Sequence, residues 1–213
     1  MDSSHDYLLI VEDDADILKL LDAALTFRGY RVVTARNGKE GLEIIQSKHP
    51  AIVITDIMMP TLDGFGLVHR IRINPETRDI PVVFITATYI AREDREFALN
   101  IGATRFIQKP VDLEKFLVTI AELLEAGLPI VVQPLNELEF YHEYRRRLEA
   151  KRNEKIKQIT RHQHLLATEE DQKDSALQAS LLYAIRERNE LEVLLNQIQE
   201  QLEKYSGQKT GPQ

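Results

Sequence analysis

The 213-residue chain contains no cysteine and no tryptophan. Without cysteine, disulfides, thiolate nucleophiles and Cys-ligated zinc are all excluded. Long apolar runs are missing too. The longest, near Ala51–Thr55, is strand-sized and far short of the ~18 residues that a membrane span needs. The start, Met1-Asp2-Ser3-Ser4-His5-Asp6, has neither the basic region nor the apolar core of a secretory signal. Proline and glycine are absent from Leu135 through Tyr205. A soluble cytoplasmic protein is expected.

What is present divides in two. Hydrophobic residues make up 43% of the chain, enough for a real core. The net charge of −7 is uneven, with 14 basic and 20 acidic side chains in residues 1–127 and 13 and 14 in the rest. An acidic first part argues against nucleic acid there. In the second part, Arg145, Arg146, Arg147, Lys151, Arg152, Lys155, Lys157 and Arg161 face only Glu149 and Glu154. That run keeps nucleic acid open as a partner for residues 145–161.

Over the first 127 residues, short β-rich runs alternate with amphipathic stretches. The runs are Tyr7–Val11, Arg31–Ala35, Ala51–Thr55, Pro81–Thr86 and Arg105–Ile107. Between them, spacings such as Ile17, Leu18, Leu21 and Leu25 fall on one helical face. Gly29, Gly102 and Asn37-Gly38 sit where helices stop or start. Near-continuous apolar strands interleaved with helices predict a doubly wound, five-stranded parallel sheet. In such sheets ligands bind at the carboxyl ends of the strands.

Those ends carry a suggestive set of side chains. The first strand runs into Glu12-Asp13-Asp14, the third into Asp56, the fourth into Thr86 and the fifth into Lys109-Pro110. In a parallel sheet all of them emerge on one edge. Clustered carboxylates repel unless a cation sits among them, and hard oxygen ligands suit Mg²⁺. An aspartate beside such an ion is a candidate nucleophile for phosphoryl transfer, with Lys109 and Thr86 as partners for phosphoryl oxygens. Asp14 alone reads equally well as a helix N-cap.

Four segments, in order, carry a family resemblance: Leu9-Ile10-Val11-Glu12-Asp13-Asp14, Ile54-Thr55-Asp56 through Asp63-Gly64, Ile85-Thr86-Ala87 and Phe106-Ile107-Gln108-Lys109-Pro110. Over residues 6–126 the chain resembles the receiver domain of two-component response regulators. The resemblance implies that Asp56 accepts a phosphoryl group from a histidine kinase or phosphotransfer protein. It implies a Mg²⁺ site made by Glu12, Asp13, Asp56 and the backbone carbonyl of Met58. Thr86 and Lys109 would contact the phosphate, a cis Lys109-Pro110 peptide would aim the lysine, and Thr86 with Phe106 would form the switch pair. Two departures stand out. Glu12-Asp13 replaces the more usual Asp-Asp, and Phe106 lacks the hydroxyl of a switch tyrosine. A phosphoacceptor of this kind is not an enzyme acting on a separate substrate.

After a linker at 127–134, residues 135–205 are expected to be helical and 206–213 a disordered tail. From Leu177 a heptad runs through Leu181, Ala184, Arg188, Leu191, Leu195, Ile198, Leu202 and Tyr205. A second seam, Leu138, Tyr141, Leu148, Ile159 and Leu166, is interrupted by Arg145, Arg152 and Lys155. Two arrangements fit this pattern. One is a coiled-coil homodimer through 177–205, the expected state; the other is a hairpin within one chain. The expected output is protein–protein contact through these helices to a downstream protein, with a DNA-binding regulator using 145–161 as the alternative. His5, His49, His69, His142, His162 and His164 show no ligand pattern, and nothing suggests a membrane partner.

Overall fold

The computed structural model describes residues 7–87, 92–126, 135–167 and 175–208. The chain divides into two compact units, Met1–Leu135 and Asn136–Gln213. The first unit alternates strand and helix in the order β1 (Leu8–Val11), α1 (Ala15–Phe27), β2 (Val32–Ala35), α2 (Gly38–Ser47), β3 (Ile52–Asp56), α3 (Gly64–Ile73), β4 (Val82–Thr86), α4 (Arg92–Asn100), β5 (Arg105–Gln108) and α5 (Leu113–Ala126). All strand pairs are parallel, and the spatial order is β2-β1-β3-β4-β5. Each expected strand is there, with ends displaced by about one residue.

Strand alternation sends Leu8, Ile10, Ile52, Ile54, Val83 and Ile85 to one face. There they bury Leu18, Leu21 and Leu25 of α1 and Phe116, Ile120 and Leu123 of α5. On the other face Phe84 meets Phe65 of α3 edge-on at 5.3 Å, and Phe65 meets Phe97 of α4 at 5.1 Å. The helix ends follow local chemistry. Asp14 Oδ1 accepts the Asp16 and Ile17 amides at 2.9 and 3.1 Å, and Asn37 Oδ1 accepts Glu40 at 3.0 Å. Gly102 closes α4 at φ +101°, a conformation that disfavours a side chain.

The second unit consists of α6 (Glu137–Leu166) and α7 (Ser175–Gln208). The two helices are antiparallel. Tyr141 stacks near Tyr205 with ring centroids 6.1 Å apart, Arg145 Nη1 donates to Gln199 at 3.0 Å, and Lys155 Nζ lies 2.6 Å from Glu187 Oε2. As positions rise along α6 they fall along α7. The hairpin is therefore the arrangement found. Leu191, Leu195, Ile198 and Leu202 are all buried within one chain, and Leu177 and Leu181 are half-buried. A homodimer through 177–205 loses its premise, an exposed leucine seam, because α6 covers most of that seam. The tail expectation also shifts, since α7 runs on to Gln208. The expected linker 127–134, the acidic segment 168–174 and residues 209–213 lie outside the described residues.

Candidate functional site

The carboxyl edge of the sheet gathers the polar residues as expected. β1 and β3 are neighbours in register, so the residues just after Val11 stand beside Asp56 at the end of β3. Asp56 pairs in register with Ile85, and Thr86 with Gln108, which places Lys109 one residue beyond the β4–β5 ladder. The Lys109 amide donates to the Thr86 carbonyl at 2.9 Å, and the Lys109-Pro110 peptide is cis. Gly64 lets α3 begin against the end of β3, because a Cβ there would meet the Asp56 carbonyl oxygen at 2.2 Å.

Glu12 and Asp56 are buried, while Asp13 lies at the solvent edge. One oxygen from each of the three lies within 4.8 Å of the others. Lys109 Nζ bridges the two buried carboxylates, 2.8 Å from Glu12 Oε2 and 2.8 Å from Asp56 Oδ2. Asp56 Oδ1 accepts the Ile57 amide at 2.6 Å. The longer Glu12 side chain also reaches back, with Oε1 accepting the Asp14 amide at 3.3 Å.

The electrostatics follow from burial and crowding. Loss of water first, and the Asp56 charge second, push the Glu12 carboxyl up to about 7 despite Lys109. Burial raises Asp56 as well, against the pull of Lys109 and the Ile57 and Met58 amides. Asp13 is raised by partial desolvation and then by Asp56. Burial opposes the Lys109 ammonium, but Asp56 and Glu12 together hold its pKa above the ordinary lysine value. Three carboxylates thus share one cation. A hard-oxygen donor set with excess negative charge fits Mg²⁺ better than a softer metal.

These features coincide with a known family. The model of the response regulator receiver domain matches residues 8–121. The chain belongs to that family. Among solved structures, the CheY-like receiver domain protein of Methanospirillum hungatei JF-1 aligns at 31% identity and a TM-score of 0.54, covering 58% of this chain and 97% of that one. The chemotaxis protein CheY4 of Vibrio cholerae aligns at 28% identity and 0.53, covering 56% and 98%. Two curated relatives are the "Probable transcriptional regulator ycf27" of Porphyra purpurea, 36% identical, and the response regulator MprA of Mycolicibacterium vanbaalenii, 35% identical. Those matches cover 58% and 57% of this chain and 49% and 52% of the relatives, so the chain matches about half their length. Receiver domains generally hold a metal ion in an acidic pocket, and in this chain Glu12, Asp13 and Asp56 form an acidic triad at the matching edge of the sheet.

The remaining site residues are placed as follows. Thr86 is buried at the end of β4. Phe106 is half-buried, edge-on to Phe84 at 6.4 Å, and the Arg95 guanidinium of α4 lies over its ring at 5.3 Å. The guanidinium is within cation–π range of the ring face. Sequence reasoning named Phe106 and missed Arg95, whose only signal was its place on the helix before β5. Met58 lies two residues past Asp56, half-buried. Among the described residues no helix is long and apolar enough to cross a membrane.

Proposed function

We propose that the chain is a cytoplasmic two-component response regulator that accepts a phosphoryl group on Asp56 in a Mg²⁺-dependent step. Glu12, Asp13, Asp56 and the Met58 carbonyl hold the ion, which would neutralise phosphoryl charge during transfer. An Asp56 oxygen attacks phosphorus, the bond to the donor histidine breaks and an acyl phosphate forms. Lys109 then exchanges its carboxylate partner for a phosphoryl oxygen, and Thr86 donates to another. The donor is a histidine kinase or phosphotransfer protein. The chain itself is an acceptor, with no turnover of a separate substrate. The supporting observation is the single pocket in which Lys109 bridges Glu12 and Asp56 beside Asp13.

Output runs through protein–protein contact by the α6–α7 hairpin. The DNA-binding reading of 145–161 is supported by the names of the relatives, but the matched portion is the receiver and five of the eight basic residues are half-buried. Only Arg146, Lys157 and Arg161 of its eight bases are exposed, and Arg146 pairs with Glu143 at 2.7 Å. Labelling with acetyl phosphate tests the acceptor. Asp56→Asn is expected to abolish labelling with the fold intact, and labelling retained at equal stoichiometry overturns the assignment. A steep salt dependence of binding to duplex DNA would favour the alternative output.

A further inference from the structure

His69 sits in the middle of α3, only 2% exposed, and its Nε2 lies 3.1 Å from the carbonyl oxygen of Leu135. A carbonyl only accepts, so Nε2 carries the proton and donates. Burial pushes the ring's pKa down to about 4, so the imidazole is neutral across the physiological range. Leu135 closes the first unit. The next residue, Asn136, is the N-cap of α6, and its Oδ1 accepts the Glu139 amide at 3.0 Å. His69 therefore holds the main chain one residue before the output helices begin.

The other end of α3 is tied to the acceptor. The Gly64 amide donates to the Ile57 carbonyl at 2.9 Å, and Gly64 packs against the Asp56 carbonyl with no room for a side chain. From Gly64 to His69 the helix rises about 7.5 Å, less than two turns. One short rigid element thus touches the backbone of the acceptor and, farther along, the backbone that enters α6. A histidine that merely filled space would need no hydrogen bond to a carbonyl 66 residues away.

We propose that His69 is a positioning residue that ties the backbone at Leu135 to α3 and through it to the acceptor loop, so that phosphorylation of Asp56 alters the first turn of α6. The inference rests on the reading of Asp56 as acceptor. Hydrogen exchange of the full chain, with and without Mg²⁺ and beryllofluoride, tests it in wild type, His69→Leu and His69→Gln. In wild type the ligand is expected to slow exchange over residues 56–63 and to change it severalfold in the first turn of α6. His69→Leu keeps the first change and loses the second. His69→Gln, which retains a donor at similar reach, restores the second. An α6 response unchanged in His69→Leu overturns the proposal, as does a wild type that responds at 56–63 and not in α6. No response at 56–63 in wild type rejects the acceptor reading, and this inference with it. His69→Asn, whose amide stops short of Leu135, replaces the leucine variant if that one does not fold.

Discussion

Glu12 is the residue through which pH enters this site. An ordinary carboxyl near 4.5 in the unfolded chain becomes one near 7 in the folded protein. Between those values the folded state holds a proton that the unfolded state has lost. The stability this group contributes is full below about pH 4.5 and disappears as pH rises through about 7. With Glu12 in its proposed role as a Mg²⁺ ligand, binding below pH 7 would displace that proton. The apparent Mg²⁺ affinity is expected to rise about tenfold from pH 6 to pH 8, and Glu12→Gln to bind more weakly with a flatter pH profile. Calorimetric Mg²⁺ titration at the two pH values checks this, and equal affinity would count against it. In metal-free protein the same substitution relieves repulsion with Asp56, but it also removes a Lys109 partner. A raised melting temperature would show that repulsion is the larger effect.

Arg72 poses the opposite problem at the same scale, a buried charge with no carboxylate among its hydrogen-bond partners. Only 1% exposed, it donates to the carbonyls of Gly102 at 2.7 and 3.0 Å, Ile80 at 2.8 Å and Arg78 at 3.1 Å. Burial lowers its pKa to about 10, so it stays charged at neutral pH. Its fork joins the loop before β4 to the turn after α4. Arg72→Met leaves buried carbonyls unpaired and is expected to cost on the order of 3 kcal/mol, measured by urea denaturation. Arg72→Lys should recover little, because an ammonium cannot span carbonyls arranged for a guanidinium. A loss below about 1 kcal/mol would mean that water replaces the side chain.

At the scale of elements, the receiver was readable because its signals are local and mutually consistent. Strand hydrophobicity, the Asp14 and Asn37 caps, and Gly29 and Gly102 all act within a few residues of the structure they fix. The site was readable for a topological reason. Parallel strands carry Glu12, Asp56, Thr86 and Lys109 to one edge whatever lies between them. The hairpin was not, because a heptad of leucines serves a partner chain and a folded-back helix equally well. Arg145 and Lys155 looked like faults in the α6 seam, yet their partners Gln199 and Glu187 lie on α7, at no spacing that one sequence reveals. His69 and Arg72 likewise depend on carbonyls far along the chain. The Lys155–Glu187 pair, with side-chain exposures of 23% and 10%, predicts a definite mutational pattern. Glu187→Met alone strands an ammonium and should destabilise α6–α7, by less than the about 3–5 kcal/mol of a fully buried pair because Lys155 keeps some water. Adding Lys155→Met should recover most of the loss. Thermal melts of the two variants check this, and a double variant no better than the single would remove the pair from the packing argument.

At the scale of the whole molecule, the second unit closes on itself, α6 against α7 within one chain. Leu191, Leu195, Ile198 and Leu202 each keep under a tenth of their surface exposed within a single chain. The hydrophobic driving force available to a second copy through that seam is correspondingly small. The large apolar residues that α7 leaves exposed among the described residues, Leu182 at 68%, Tyr183 at 59% and Val193 at 56%, fall at two spots separated by the polar residues Arg186, Asn189 and Glu190, not along a continuous stripe. The chain is therefore expected to be monomeric in light scattering at tens of micromolar, with or without beryllofluoride. Leu191→Asp/Leu195→Asp then acts by unfolding the hairpin. At about 0.05–0.15 kcal/mol per residue, a unit of this size holds on the order of 5–10 kcal/mol. Two buried leucines are worth about 2–5 kcal/mol each even when cut to alanine, and a buried carboxylate costs more. Helical circular dichroism should fall sharply while acetyl phosphate labelling of Asp56 persists. A wild type of twice the chain mass, cut to one chain mass by the same double substitution with helicity retained, would show instead that the seam opens to a second copy.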